Sequence, residues 1–446
     1  MKQKIIFSFI LQYKIKILNN YISKKHYNYI LYSLFLLVFI IVLKRPIERF
    51  PDSEGYLSMS IIRSPIYPIF LYLLKVIFNN FFEVATIFFQ ILFNIFSIYY
   101  CVRSLKSIIK IDSIWYLLLT VILLFPCVYN LNISNRFLSE SISYSLYLLV
   151  ISNFIVAFLK EKNKFILYSF PLLIVLILTR SQFLFLVPIG ILIILWTSLK
   201  NNKLKKNSWL LISFICIPII TAITDKTYHS IVHDHFVSTP WTGLHLITPA
   251  FFVADNKDSK IFADPLEKEF FTKVFGQLEK DKLNLNTLDL SKIDETSFYI
   301  QNYSKIANQT IYAYGKNILN KNLSENEKFI ALNKITKKMT PPLILNNWKL
   351  WIKLYIKNFL SAFNNAKYAL LVFIILIFGF IKLWKKPSNE IKFIFLGSLF
   401  LISNVLIIAI GMHTVKRFTF YNDWVIFLII FILFDTLTKY KSTNDS

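Results

Sequence analysis

The chain has 446 residues, is 55% hydrophobic, holds 44 Phe and carries a formal net charge of +25. Soluble domains average about 45–50% apolar residues with glycine included. Here the excess is gathered into repeated runs of roughly 15 to 25 residues, the length that crosses a hydrocarbon core about 30 Å thick. That excludes an ordinary soluble domain and gives an all-α, polytopic membrane protein. The cations sit mostly in short loops between apolar runs, so they set topology and do not imply nucleic acid as a partner.

In chain order, residues 1–27 are basic and partly apolar without a small-residue cleavage site, and read as a cytoplasmic interfacial segment. Ten spans follow, near 28–43, 84–101, 114–130, 137–159, 165–179, 183–198, 208–224, 366–384, 391–411 and 420–438. Seven form an N-terminal module (28–224), and three, with a short cytoplasmic tail, form a C-terminal module (366–446). Lysine-rich groups recur on one side, among them Lys160, Lys162 and Lys164, then Lys200, Lys203, Lys205 and Lys206. With ten spans all such groups fall on the cytoplasmic side. Cys101, Cys127 and Cys216 lie in apolar runs and imply neither a disulfide framework nor a zinc site.

The other side receives a first external loop (44–83), tight turns near 131–136, 180–182 and 412–419, and a largely helical extracytoplasmic insertion (225–365). Its helical patterns include PLEKEFFTKVFGQLEK (265–280) and TSFYIQNYSKIANQTIYAYGKNIL (296–319). NNWKLWIKLYIKNFL (346–360) spaces aromatics beside lysines, as a helix in the membrane interface does. WTGLHLITPAFFVA (241–254), uncharged apart from His245, is expected to fold over the active site as an acceptor groove, or else to pack as an ordinary core segment. YHSIVHDHF (228–236) places His229 and His233 four apart, a spacing that can chelate a metal, but lacks a metalloprotease glutamate and reads as a surface loop with no metal site.

Cations on the external side break the positive-inside pattern: Lys44, Arg45, Arg49, Arg63, Arg136, Arg180, Lys416 and Arg417. Singly, each can snorkel to lipid phosphates. As a group they point to an anionic ligand at the external membrane surface, with membrane lipids as further partners. Arg180, in ILTRSQFLF, is the sharpest case, because it has almost no loop to hold it. Asp52 and Glu54 in RFPDSEGY (49–56), and Glu140 in NRFLSESISY (135–144), add carboxylates. Acids beside cations suggest an anionic leaving group and a general base side by side. Structural roles compete: Asp52 or Ser53 as helix N-cap, Glu54 as a solvated residue, Glu140 as the partner of Arg136, and Tyr56 and Tyr67 as packing aromatics.

RFPDSEGYLSMSIIRSPIYPIFLYLL resembles the first external loop of GT-C superfamily glycosyltransferases, through Asp52, Ser53 and Tyr56, then Arg63, Pro65, Tyr67 and Pro68. NRFLSESISYSLYLL, LTRSQFLFLVPI and KRFTFYNDWVIFLIIFIL resemble later elements of that fold, in the branch of protein mannosyltransferases and lipid A aminoarabinose transferases. The mannosyltransferase pattern has Asp-Glu where Asp52-Ser53 stands, which argues against a protein acceptor. The resemblance implies inverting transfer of a sugar from a polyprenyl-phosphate carrier to a hydroxyl of a lipid or glycan acceptor, at the extracytoplasmic face of a bacterial inner membrane. Asp52 would be the base and Glu140 would orient the acceptor or a pocket cation. Arg49, Arg63, Arg136, Arg180, Lys416 and Arg417 would be the pool for the donor phosphate, and Tyr56 and Tyr67 would line the substrate. No cofactor is firmly implied, and the resemblance leaves open whether a divalent metal takes part. Two other functions remain open: an O-antigen polymerase or ligase using a polyprenyl-diphosphate glycan, and a transporter or flippase of lipid-linked sugars.

Overall fold

The computed structural model describes residues 24–129, 131–319 and 322–444. All but the last four residues of the 1–27 segment therefore lie outside the described residues. Among the described residues the chain is helical, without strands, and nine helices are long and apolar enough to cross a membrane. This is an all-α integral membrane protein. Lipid offers no partner to a backbone N–H or C=O, so each crossing segment closes its hydrogen bonds within a helix.

Each of the ten sequence-derived spans falls on a helix, but the fifth falls on a helix too short to count among those nine. Lys164–Thr179 has 16 residues, about 24 Å at 1.5 Å per residue, less than the hydrocarbon core. Arg180 follows in an extended conformation, and the chain resumes in the turn Ser181–Phe185. The segment 44–83 differs more from expectation. It is not a loop: it holds the helices Pro51–Leu57 and Ile66–Phe78, the second leading through Asn79 into Phe82–Lys106. Asn79 takes a left-handed φ of 44°, which breaks what is otherwise one apolar stretch, Ile66–Lys106.

Glu140–Lys160 is the central helix, buried from Glu140 to Leu159. Its small polar residues Ser141, Ser143, Ser145 and Ser152 let neighbouring helices approach closely. Asn94 on Phe82–Lys106 donates to the Ser141 carbonyl (3.1 Å) and to Ser145 Oγ (3.0 Å). At the insertion end of the bundle an isolated parallel bridge joins Glu48 to Arg136. Glu48 N donates to Asn135 O (2.9 Å) and Phe137 N to Glu48 O (3.2 Å). This bridge fixes the segment before Asp52 against the segment before Glu140.

The insertion has its own core, which includes Phe251, Phe270, Phe271, Phe275, Tyr299 and Met339. Thr242–Val253 is the helix that joins it to the bundle. A Cβ on Gly411 would meet the His245 carbonyl oxygen at 2.9 Å, so only glycine permits that approach. The interface helix forms over Trp348–Ser361, with Trp348, Ile352 and Ile356 exposed. Its Asn358 ties down the 412–415 turn by donating to Met412 O (2.7 Å) and accepting from Thr414 N (3.2 Å).

Candidate functional site

The Pro51–Leu57 helix starts with Pro51 at its first position, where a missing N–H costs nothing. Ser53 Oγ accepts from Phe50 N (2.9 Å), so serine serves the helix start and the Asp52 side chain stays available. Its two carboxylate oxygens go to two arginines. Arg63 Nη2 donates to Oδ1 (2.9 Å) and Arg417 Nη1 to Oδ2 (2.9 Å). Arg63 lies over the Tyr56 ring, 4.7 Å from its centroid, and against Gly55. A Cβ on Gly55 would stand 2.7 Å from Arg63 Nε. Burial alone raises the Asp52 carboxyl pKa, but the charges and hydrogen bonds of Arg63 and Arg417 outweigh it and hold the group below the usual carboxylate range.

Glu140, at the start of the central helix, is buried. Arg417 Nε donates to its Oε1, and Arg180 Nη1 forms an ion pair with the same oxygen at 3.0 Å. Arg417 thus links Asp52 and Glu140, which are far apart in the chain. Three guanidiniums against two carboxylates leave this cluster with one net positive charge. Arg180 is nearly buried and lies over Phe418, 5.2 Å from its centroid. Such burial is tolerable because Glu140 compensates the charge in a low-dielectric setting.

The cluster borders a cavity of ≈ 430 Å³, within the range of small-molecule sites. Ile177, Leu178, Pro218, Thr221 and Ala222 of the Lys164–Thr179 and Leu204–His233 helices supply one part of its lining. Asp52, Arg63, Arg180 and Arg417 supply the ionic part. The insertion contributes Trp241, His245 and Tyr303, and the 412–415 turn contributes His413. Burial, His413 and Arg63 lower the His245 pKa to about 4, against an opposing effect of Asp52. Burial and Arg417 lower His413 to about 4. Both imidazoles are neutral near pH 7. Asp225 also lines the cavity, where it accepts from Thr239 N (2.7 Å) and Thr239 Oγ1 (2.9 Å).

The structure brings together Asp52, Tyr56, Arg63, Arg180 and Arg417 on the cavity, with Glu140 behind the arginines. It places the rest of the sequence-derived set elsewhere. Arg49 pairs with Glu54 and Glu83. Arg136 pairs with Glu48 at 2.9 Å, not with Glu140, because it precedes the helix in extended conformation. Lys416 pairs with Asp423 at 2.7 Å, whereas its chain neighbour Arg417 joins Asp52 and Glu140. Tyr67 is fully buried and donates to Gln90 Oε1 (2.9 Å), so it packs and does not line the cavity. Tyr56 OH is within 3.1 Å of Ser139 Oγ. Glu54 is exposed. His229 is no surface-loop residue: it is buried on the Leu204–His233 helix, with its ring stacked on His233. Among the described residues no group of three or more His, Cys, Asp or Glu is placed to hold a metal ion.

The stretch 241–254 lies over the cavity through Trp241, Thr242 and His245. Tyr303 and His413 were not singled out from sequence. His413 had a signal, since it lies four residues before Arg417 in the same turn. Tyr303 had none, because it reaches the site only through the packing of the insertion. No protein-family model matches this chain, and neither a curated protein nor a solved structure matches it.

Proposed function

We propose that this chain is a membrane glycosyltransferase. It moves a sugar from a polyprenyl-phosphate carrier to a hydroxyl of a cell-envelope glycan or lipid, on the extracytoplasmic side of a bacterial plasma membrane. One observation carries the reading: Arg63 and Arg417 on Asp52, with Arg180 beside them on Glu140, border a cavity that is lined in part by apolar membrane helix. A lipid phosphate needs both surfaces. The resemblance of RFPDSEGYLSMSIIRSPIYP and NRFLSESISYSLYLL to GT-C elements supports the same class.

In this reading the arginines bind the donor phosphate and stabilise the charge that collects on it as it leaves. The acceptor oxygen attacks C1, the C1–O(phosphate) bond breaks and the configuration inverts. The acceptor proton passes to Asp52. The bound phosphate takes over guanidinium contacts that Asp52 otherwise holds, which frees a carboxylate oxygen for that proton. A depressed pKa makes Asp52 a weak base, but transfer concerted with attack still contributes about 10²–10⁴-fold. Glu140 keeps Arg180 and Arg417 in place. A transporter of lipid-linked sugars is disfavoured, because such sites sit near the bilayer midplane and this charge cluster sits where helices end.

The test is transfer by the purified protein and its Asp52→Asn variant across a panel of polyprenyl-phosphate sugars and envelope acceptors. Wild-type turnover and a loss of about 10²-fold or more in the variant are the expected result. Full activity of the variant would remove the base assignment. Turnover of a diphosphate-linked glycan, with none of any monophosphate donor, would make the protein a polymerase or ligase.

A further inference from the structure

His245 has a defined tautomer. The Tyr303 hydroxyl has one hydrogen, and it points to the Gly411 carbonyl oxygen at 3.1 Å, an atom that can only accept. The Tyr303 oxygen, 2.9 Å from His245 Nδ1, must then accept from it. The proton sits on Nδ1, and Nε2 carries the lone pair. The arrangement is rigid. Tyr303 is buried, its ring lies against His413 with centroids 4.2 Å apart, and the His245 backbone is held against Gly411.

The lining has a second neutral imidazole, His413, and neutral hydroxyls and amides such as Ser304 and Asn308, but on His245 the Tyr303 contact sets which nitrogen accepts. Arg63, Arg180 and Arg417 only donate. Both oxygens of Asp52 are held by arginines, and Asp225 is held by Thr239. Beside His245 stands Trp241, with ring centroids 6.0 Å apart and planes at 85°. An aromatic ring next to a neutral acceptor suits a sugar, which offers apolar C–H faces and hydroxyl donors.

We propose that His245 Nε2 is a substrate-hydroxyl acceptor, through which the insertion recognises a sugar hydroxyl in the cavity. The proposal rests on the transferase reading. The hydroxyl belongs either to the donor sugar or to the acceptor, and the two are separable by kinetics. The neutral imidazole that this requires is the form the buried site favours.

The test compares full-length His245→Asn and His245→Gln with wild type, using the donor and acceptor that wild type turns over fastest in the panel. An Asn amide reaches the position of Nδ1 and can keep the Tyr303 contact, whereas a Gln amide reaches that of Nε2. His245→Asn is expected to raise one KM about three- to tenfold, the effect of one neutral hydrogen bond, and His245→Gln to restore most of it. A rise in donor KM assigns the hydroxyl to the donor sugar, and a rise in acceptor KM to the acceptor. Undecaprenyl phosphate, which has no sugar, is expected to bind His245→Asn as it binds wild type. Both KM values within about twofold of wild type in His245→Asn would overturn the proposal. So would defects confined to His245→Gln, because only the Tyr303 contact would then matter. If wild type turns over no polyprenyl-linked sugar, the transferase reading itself fails and takes this role with it. If wild type turns over and His245→Asn is unaffected, only the role of His245 fails.

Discussion

Asp52 and Glu54 stand two residues apart in one short helix and have different environments. Asp52 is half-buried between Arg63 and Arg417, while Glu54 is exposed beside Arg49. Sequence could single out Asp52 as an acid among cations, but could not name its partners. Glu140 illustrates why. Its sequence neighbour Arg136 suggests a local pair, yet i, i+4 pairing holds only within a helix, and Arg136 lies outside it. Arg417, 277 positions away, takes that place instead. Gly55 was equally silent, since its role is to leave room for the Arg63 guanidinium. Gly55→Ala should displace Arg63 from Asp52 without leaving a cavity. The expected outcome is a 10- to about 100-fold loss of transfer, the scale of a misplacement near 1 Å, with the unfolding midpoint little changed. Both are measurable on one preparation.

The crossing helices were legible because lipid forces long apolar segments to be helical. Ile66–Phe78 was not, as its 13 residues are too few for a span and were absorbed into a loop. The Glu48–Arg136 bridge was also invisible, since isolated pairing between two connecting segments leaves no periodic pattern. That bridge gives Arg136 its function: it joins Glu48 and covers Phe50, 4.6 Å from the ring centroid. Arg136→Ala should therefore destabilise the protein by about 1–2 kcal/mol, seen as a drop of a few degrees in its unfolding midpoint in detergent. Affinity for undecaprenyl phosphate should stay within about threefold. A large loss of that affinity with an unchanged midpoint would place Arg136 at the phosphate after all.

At the scale of the whole molecule, two parts with separate cores meet at one cavity. The membrane bundle supplies the apolar lining and Arg180. The segment after the first span supplies Asp52 and Arg63, and the turn before the last span supplies His413 and Arg417. The insertion supplies Trp241, His245 and Tyr303. The apolar pattern revealed the bundle, and the wrong-side cations include the three arginines that cluster around Asp52 and Glu140. Which cations converge depends on packing between segments hundreds of residues apart, which local patterns do not encode. The central claim is that Arg63, Arg180 and Arg417 hold a lipid phosphate while Arg49, Arg136 and Lys416 do not. The most direct measurement is the affinity of purified protein for undecaprenyl phosphate, with each set of three replaced by alanine. The account predicts a loss of about 10²-fold or more for Arg63, Arg180 and Arg417, in keeping with charge-assisted hydrogen bonds in a partly buried site, and a change within about threefold for the other set. Retained affinity in the first set, or an equal loss in the second, would contradict it.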